Sequence, residues 1–154
     1  MIYKDSIADL IDNGLIKKCP IDFKVIFNLL KRASIDLRTA ERNLNEDEEC
    51  TYNYAYNAML RSGFALMLSE GFRPEIKDKH LTIVKFTSLA LGKNFEKIIN
   101  NYDFMRRKRN RLIYEPDIPC SRKEADDALK MAQEFTEIVN KIIKSKNPQI
   151  EFDL

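Results

Sequence analysis

Apolar residues recur every three or four positions through five successive segments of this 154-residue chain. That spacing places them on one face of an α-helix, because a half-buried strand alternates at every second residue. The longest stripe starts after Pro20, which suits the first turn of a helix. Its members are Phe23, Ile26, Phe27, Leu30, Ala33, Leu37, Ala40 and Leu44. The pattern predicts one long amphipathic helix.

Helix starts and stops separate the other segments. One helix is predicted from Thr51 to about Glu70 and another from about Lys79 to Leu91, each followed by a glycine. Asn94 is the expected cap of a fourth helix, which ends near Tyr114 before two prolines. The last helix is expected to open on a capping box formed by Ser121 and Glu124.

The sequence predicts three parts. They are an N-terminal arm with a short helix, residues 1–19; a helical body, residues 20–146; and a polar tail, residues 147–154. No long β-type alternation occurs, although residues 149–154 are compatible with a loose strand. Four to five amphipathic helices with short connections bury their apolar faces most simply against one another. The predicted fold is therefore an all-α, antiparallel helical bundle with a short N-terminal helical arm.

Composition narrows the class of protein. A hydrophobic content of 44% excludes a disordered chain, and 4 Gly with 5 Pro exclude collagen-like and loop-rich all-β proteins. Lys and Arg number 26 against 24 Asp and Glu, so an anion site must be local. With no signal-peptide pattern and no apolar run long enough for a membrane span, we expect a soluble, cytoplasmic protein that binds no membrane.

Cysteine and histidine are scarce and scattered. Three separated Cys predict neither a disulfide framework nor a structural zinc site, and one His is too few for a typical catalytic zinc centre. We therefore expect no metal and no cofactor. His80 is interpreted as a structural or capping residue. The phenols of Tyr52, Tyr54 and Tyr56 are interpreted as half-buried core, with a base-stacking platform as the alternative.

The strongest local signal is a basic block, residues 106–111, with five cations in six positions. Because a helix turns about 100° per residue, these side chains point in every direction and cannot share one solvated face. Arg109 occupies the apolar stripe between Met105 and Leu112. A cation placed toward a core must be paired or line a polar cleft. A simpler reading is that the block complements the helix dipole.

A second row on the same helix joins Asp103, Arg107, Asn110 and Tyr114, which step by four, three and four. Such a flank suits a phosphate, held by Arg107 or Arg109, and a base stacked on Tyr114. A phenol has a pKa of about 10, so Tyr114 is a poor general base unless cations depress that pKa. The candidate RNA- or nucleotide-binding residues are Arg106, Arg107, Arg109 and Arg111; the candidate catalytic residues are Arg109, Asn110 and Tyr114.

The string Arg106–Tyr114 resembles the signature helix of the HEPN superfamily, the higher-eukaryote and prokaryote nucleotide-binding domain. Shorter pieces occur in similar order in bacterial and archaeal members, so the resemblance covers nearly the whole chain. They are Gly14-Leu15-Ile16, Ala55-Tyr56-Asn57-Ala58, Gly71-Phe72-Arg73-Pro74, His80 and the final alanine-rich helix.

The resemblance implies a homodimer with the Arg-Asn helices facing each other, and frequent pairing with a minimal nucleotidyltransferase in toxin-antitoxin gene pairs. Active members are metal-independent endoribonucleases with an Arg and, a few residues later, a His. The Arg and Asn correspond to Arg109 and Asn110, but Tyr114 stands at the His position. Loss of that imidazole weakens the expectation of cleavage more than that of binding. In some family pairs a tyrosine near this motif receives AMP, which makes Tyr114 a candidate for modification.

The sequence is therefore compatible with three functions. The leading expectation is an RNA- or nucleotide-binding homodimer that works with a nucleotidyltransferase. The alternatives are a metal-independent endoribonuclease toxin and a non-catalytic assembly module that docks an acidic partner. Arg61 and Glu70 are plausible neighbours of Arg109 across the bundle.

Overall fold

The structure, a computed structural model, describes residues 4–148 as an all-α helical bundle with one small two-stranded ribbon. The all-α prediction is confirmed. The elements are α1 (Ile7–Asp12), β1 (Ile16–Lys18), α2 (Phe23–Asn43), α3 (Glu48–Ser69), β2 (Phe72–Pro74), α4 (Lys79–Leu91), α5 (Glu96–Tyr114) and α6 (Arg122–Lys146).

Helix α3 is the central element of the bundle. It packs most extensively against α2 and α6, and also contacts α4 and α5. Its buried residues lie on nearly every side, including Ala55, Tyr56 and Met59. Helices α2 and α6 are amphipathic, with one covered face each, as expected for the outer layer of a bundle. The candidate functional site lies where α4 and α5 meet α3.

Three predicted helix starts differ from the structure; the smallest difference is that α3 begins at Glu48, three residues before Thr51. Helix α2 begins at Phe23 because the Asp22 side chain accepts a hydrogen bond from the Lys24 N–H, so Pro20 lies before the helix. Asn94 does not cap α5, because it lies inside a 3₁₀ turn, Lys93–Phe95, that leads directly into the helix. The capping box of α6 is confirmed.

The capping box of α6 consists of two hydrogen bonds. The Glu124 N–H donates to the Ser121 Oγ at 3.0 Å, and the Ser121 N–H donates to the Glu124 Oε1 at 3.2 Å. The predicted span of α4, Lys79 to Leu91, is also confirmed. The strand considered for residues 149–154 lies outside the described residues.

The ribbon was not predicted. Strands β1 and β2 are antiparallel, with Ile16 opposite Pro74 and Lys18 opposite Phe72. Three residues per strand are too few for a detectable alternation, and the partners are far apart in sequence. The ribbon attaches the N-terminal arm to the bundle, where Leu10 and Ile16 are buried with a second apolar cluster.

Helices α3 and α4 approach closely at Gly63. A Cβ at this position would lie 2.8 Å from the Ile83 Cγ2 and 3.1 Å from the Thr87 Oγ1. The missing side chain therefore allows the second and third turns of α4 to lie against the middle of α3, and His80 lies in the first turn of the same helix.

Cys19, Cys50 and Cys120 are free, half-buried thiols, and burial raises the pKa of Cys120 to about 11. Within residues 4–148, no helix combines the length and the apolar character needed to cross a membrane.

Candidate anion-binding site

Four of the five cations in the basic block of α5 have carboxylate partners. The Arg106 Nε lies 3.0 Å from the Asp103 Oδ1, and the Arg107 Nε lies 3.4 Å from the Asp103 Oδ2. The other two pairs are Lys108 with Glu124, at 3.1 Å, and Arg111 with Glu115, at 3.0 Å. Most of the positive charge in the block is thus balanced inside the chain.

Arg109 is the exception. It lies on the covered side of α5, half-buried between the buried residues Met105 and Leu112, as the apolar stripe predicted. No carboxylate of residues 4–148 forms an ion pair with it. Its guanidinium carbon lies 5.8 Å from the centroid of the Tyr56 ring on α3, within the range of a cation–π contact. Such a contact offsets part of the desolvation cost but leaves the positive charge unbalanced.

Tyr56 joins Arg109 to the first turn of α4. Its ring is fully buried, and its hydroxyl oxygen lies 2.9 Å from the Nδ1 of His80. The two rings are tilted against each other, with centroids 5.8 Å apart. Burial raises the pKa of the Tyr56 phenol, which therefore keeps its proton near neutral pH. With a neutral imidazole that carries its proton on Nε2, the phenol donates this hydrogen bond.

The electrostatic environment of His80 favours the uncharged imidazole. Burial lowers the pKa of His80, and the positive charges of Arg109, Arg106 and Lys79 lower it further. His80 is half-buried and lines a cavity of about 240 Å³ together with Arg61 and Lys79. A neutral imidazole at the hydroxyl and an unbalanced guanidinium over the ring are therefore both held against one phenol.

The outer flank of α5 carries the remaining predicted site residues. Arg107, Asn110, Arg111 and Tyr114 are exposed, and the Tyr114 side chain reaches 76% exposure. Asp103, the fourth member of the predicted row, is instead buried beneath Arg106 and Arg107.

Arg109 and Tyr114 do not meet within one chain. They are five residues apart, which places them about 140° apart around the helix. Asn110 is also exposed, and it lies about 100° around the helix from Arg109 and about 40° from Tyr114. Within a single subunit, the three predicted catalytic residues thus lie on two different sides of α5.

The sequence did not predict that Tyr56 brings Arg109 and His80 together. His80 was interpreted as structural or capping, but its side chain makes no cap bond at the start of α4, and the hydrogen bond to Tyr56 is formed instead. Tyr56 was assigned to the core, and it is buried, yet its hydroxyl is the link between α3 and α4. No periodicity signals this meeting, because it depends on how three helices cross. The only feature of the sequence that could have indicated this contact is that His80 is a polar residue at the start of an apolar helix.

Neither suggested neighbour contacts Arg109. The Arg61 Nη1 lies 2.6 Å from the Asp36 Oδ2 on α2, and Glu70 pairs with Lys146 on α6. Both carboxylates and both cations are therefore used elsewhere in the bundle.

Two other features bear on possible ligands. A cavity of about 160 Å³ between α5 and α6 includes Glu124 and Asp127 in its lining, which disfavours an anion. Among residues 4–148, no three His, Cys, Asp or Glu side chains come close enough to form a candidate metal site.

The comparisons with known proteins yield one match. A family model described as HEPN domain matches residues 27–142, about three quarters of the chain. This range includes α3, α4, α5 and therefore all three residues of the Arg109–Tyr56–His80 group. No curated protein and no solved structure matches the chain.

Proposed function

The chain belongs to the HEPN family, and from this premise we propose that it is a homodimeric RNA- or nucleotide-binding protein that works with a minimal nucleotidyltransferase. The family supports a function related to RNA or nucleotides. The particular contacts of Arg109 support binding of an anion at the junction of α3, α4 and α5.

One observation carries the proposal: Arg109 is half-buried, and no carboxylate in residues 4–148 balances its charge. Placing a guanidinium there costs desolvation free energy, which an ion pair would offset. A phosphate provides the missing negative charge and binds a guanidinium through two hydrogen bonds. Arg107 and Arg111 on the outer flank are exposed, so a polyanion can reach them, although each already has a carboxylate partner.

The decisive measurement is the affinity of a short single-stranded RNA for the wild type and for Arg109→Gln at one stated salt concentration. We expect a loss of about tenfold to a hundredfold, the size of a charge-assisted hydrogen bond that is removed. The matched control is Arg38→Gln, which removes the same charge from an exposed position on α2. Equal affinities for the wild type and Arg109→Gln would refute the proposal.

Salt dependence separates Arg109 from the flank. Arg111→Gln removes an exposed cation, so we expect a weaker salt dependence of binding and only a small loss of affinity at high salt. Arg109 is partly shielded from solvent, and its loss should remain visible at high salt. If both variants behaved alike, the binding would depend on general charge and not on a specific site.

The dimer is proposed through the outer flank of α5. Phe104, an aromatic side chain with 54% exposure, lies there beside Arg107, Arg111 and Tyr114. Analytical ultracentrifugation of the wild type and Phe104→Glu tests this part, because a buried carboxylate would disfavour association. A wild type that stays monomeric at high concentration would refute it.

The nucleotidyltransferase partner rests on family membership and on the exposure of Tyr114. In a single chain, before a second copy covers this flank, a phenol that is 76% exposed is accessible to an enzyme that transfers AMP to a hydroxyl. Copurification with a nucleotidyltransferase encoded by a neighbouring gene, followed by mass spectrometry of the wild type and Tyr114→Phe, tests both claims.

A second candidate function is cleavage of the bound RNA. His80 favours it, because a neutral imidazole beside an anion-binding guanidinium is the usual acid-base group for this reaction. Cleavage should then be lost in His80→Gln and kept in Tyr114→Phe. Equal cleavage by the wild type and both His80→Gln and Arg109→Gln would identify a contaminant.

A further inference from the structure

The Arg109–Tyr56–His80 group has the composition of a binding site for one phosphate. The guanidinium and the imidazole both contact Tyr56, one from α5 and one from α4. The buried phenol occupies one ring nitrogen, Nδ1, and so orients the imidazole. Its other nitrogen, Nε2, remains for a ligand, and the half-buried His80 is reachable from solvent through the cavity that it lines.

We propose that His80 and Arg109 together hold one phosphodiester group of RNA at the Tyr56 ring, and that His80 takes up a proton when the phosphodiester binds. This inference rests on the proposed function and names the second ligand-binding side chain of that site. The ligand chemistry is a ribonucleotide phosphate: the phosphodiester of an RNA strand is the proposed source, and the phosphate monoester of a free mononucleotide is the other source of the same chemistry.

Proton uptake follows from the charges that surround the imidazole. Arg109 and Arg106 face His80 from α5, Lys79 precedes it on α4, and Arg61 lies in the same cavity wall on α3. Asp36 neutralises Arg61 and Asp103 is shared by two arginines, so Arg109 is the main unbalanced charge from another helix. A bound phosphodiester balances that charge and accepts a hydrogen bond from the Nε2–H of His80. Both effects favour the protonated ring, so the pKa of His80 rises on binding. The added proton goes to Nδ1, whose N–H then donates to the Tyr56 hydroxyl oxygen in place of accepting from it.

The sign of the pH dependence is fixed by this linkage. Below the pKa of His80 in the free protein, the ring is charged in both states and affinity does not change with pH. Above the pKa of the complex, the ring is neutral in both states and affinity is again constant. Between the two values affinity falls as pH rises, by at most about tenfold per pH unit for one proton.

The pKa of His80 can be measured without ambiguity because His80 is the single histidine of the chain. In protein without a histidine tag, the NMR signal of the proton on Cε1 of the imidazole reports the titration of this ring. The probe is the dinucleotide uridylyl-3′,5′-uridine, a phosphodiester whose own charge is constant near neutral pH. We expect the pKa of His80 to lie below 6.5 in the free protein and to rise when the probe is bound.

Two variants test the origin of the shift. In Arg109→Gln, the free-protein pKa of His80 should move up toward its ordinary value, and the probe should no longer change it. In His80→Gln, the affinity for the probe should lose its pH dependence, while Arg38→Gln should behave like the wild type in both measurements.

The source of the phosphate is resolved by comparing a six-nucleotide RNA with uridine monophosphate at one pH and salt concentration. Tighter binding of the RNA, together with a rise in the pKa of His80, supports RNA. Tighter binding of the mononucleotide supports a free nucleotide; the size of the pKa shift does not discriminate, because the monoester carries more charge than a phosphodiester. If the wild type binds RNA but the pKa of His80 does not move, this inference is wrong and the proposed function stands. If the wild type binds neither ligand, the proposed function itself fails.

Discussion

Arg61 and Arg109 are two half-buried guanidinium groups of the same bundle in opposite electrostatic situations. The Arg61 Nη1 lies 2.6 Å from a carboxylate oxygen of Asp36, whose side chain is 1% exposed. Arg109 rests on the Tyr56 ring without a carboxylate partner in residues 4–148. Arg61 connects α3 with α2, whereas Arg109 connects α5 with α3.

The difference separates a structural cation from a functional one. The charge of Arg61 is balanced within the chain, so its removal should cost stability and little else. The charge of Arg109 is not balanced, which is an unfavourable arrangement for folding and a useful one for binding an anion. Departures of this kind from the rules of stability are expected at functional sites.

The largest effect is expected for Arg61→Ala. Without the guanidinium, Asp36 is a buried and unpaired carboxylate, so we expect the free energy of unfolding to fall by about 3 kcal/mol. This is the low end for a broken buried pair, because one third of the Arg61 side chain is exposed. Urea denaturation measures the change. Arg38→Ala, an exposed arginine of α2, should change stability by less than about 0.5 kcal/mol.

The pH dependence of stability checks the same pair. Burial raises the pKa of Asp36 above its ordinary 3.8, although Arg61 and Arg32 act in the opposite direction. The folded state then holds this proton more tightly than the unfolded state. The contribution of Asp36 to stability is therefore largest below pH 3.8 and falls as pH rises toward the folded-state pKa. Compared with Asp36→Asn, the wild type should lose stability over that window; an equal pH dependence would contradict the assignment.

The next effect is expected for Gly63→Ala, which tests the helix crossing that brings His80 to Tyr56. The new Cβ would lie 2.8 Å from the Cγ2 of Ile83, a stiff β-branched side chain. We expect a loss of about 1–2 kcal/mol from overpacking, even after the gain in helix propensity. Thermal and urea denaturation measure it. A more stable variant would show that the crossing is loosely packed and that His80 is not held by it.

A smaller effect is expected for Tyr56→Phe, with Tyr52→Phe as its matched control. The two phenols lie one turn apart on α3 and both are buried, but only the Tyr56 hydroxyl has a hydrogen-bond partner in residues 4–148. Removing it should cost about 1 kcal/mol, whereas removing the Tyr52 hydroxyl should be nearly neutral. Equal changes in the two variants would mean that the bond to His80 contributes nothing to stability.

The smallest change in stability is expected for Arg109→Met. Methionine keeps a contact with the Tyr56 ring and removes an unbalanced charge, so the free energy of unfolding should change by less than about 0.5 kcal/mol. RNA affinity should nevertheless fall by at least tenfold. A destabilisation as large as that of Arg61→Ala would remove the distinction between the two arginines.

The sequence predicted those parts of the fold that depend on neighbouring residues. The capping box of Ser121 and Glu124 lies within one turn, and the span of α4 follows from its apolar spacing and the glycine after it. The start of α2 was predicted wrongly because Pro20 and Asp22 both suit a helix start. The start of α5 was predicted wrongly because the chain enters this helix through a 3₁₀ turn and no side chain caps it. The ribbon of β1 and β2 was missed because three-residue strands carry no usable pattern.

For the site, the sequence by itself determined that Arg109 must lie on the covered side of its helix, since it occupies a position between Met105 and Leu112 in a helical apolar stripe. That conclusion needs only the geometry of one helix. The tertiary structure alone decided that the guanidinium rests on Tyr56 and that His80 joins them from a third helix. These contacts depend on the crossing of α3, α4 and α5, and helical periodicity carries no information about how separate helices cross.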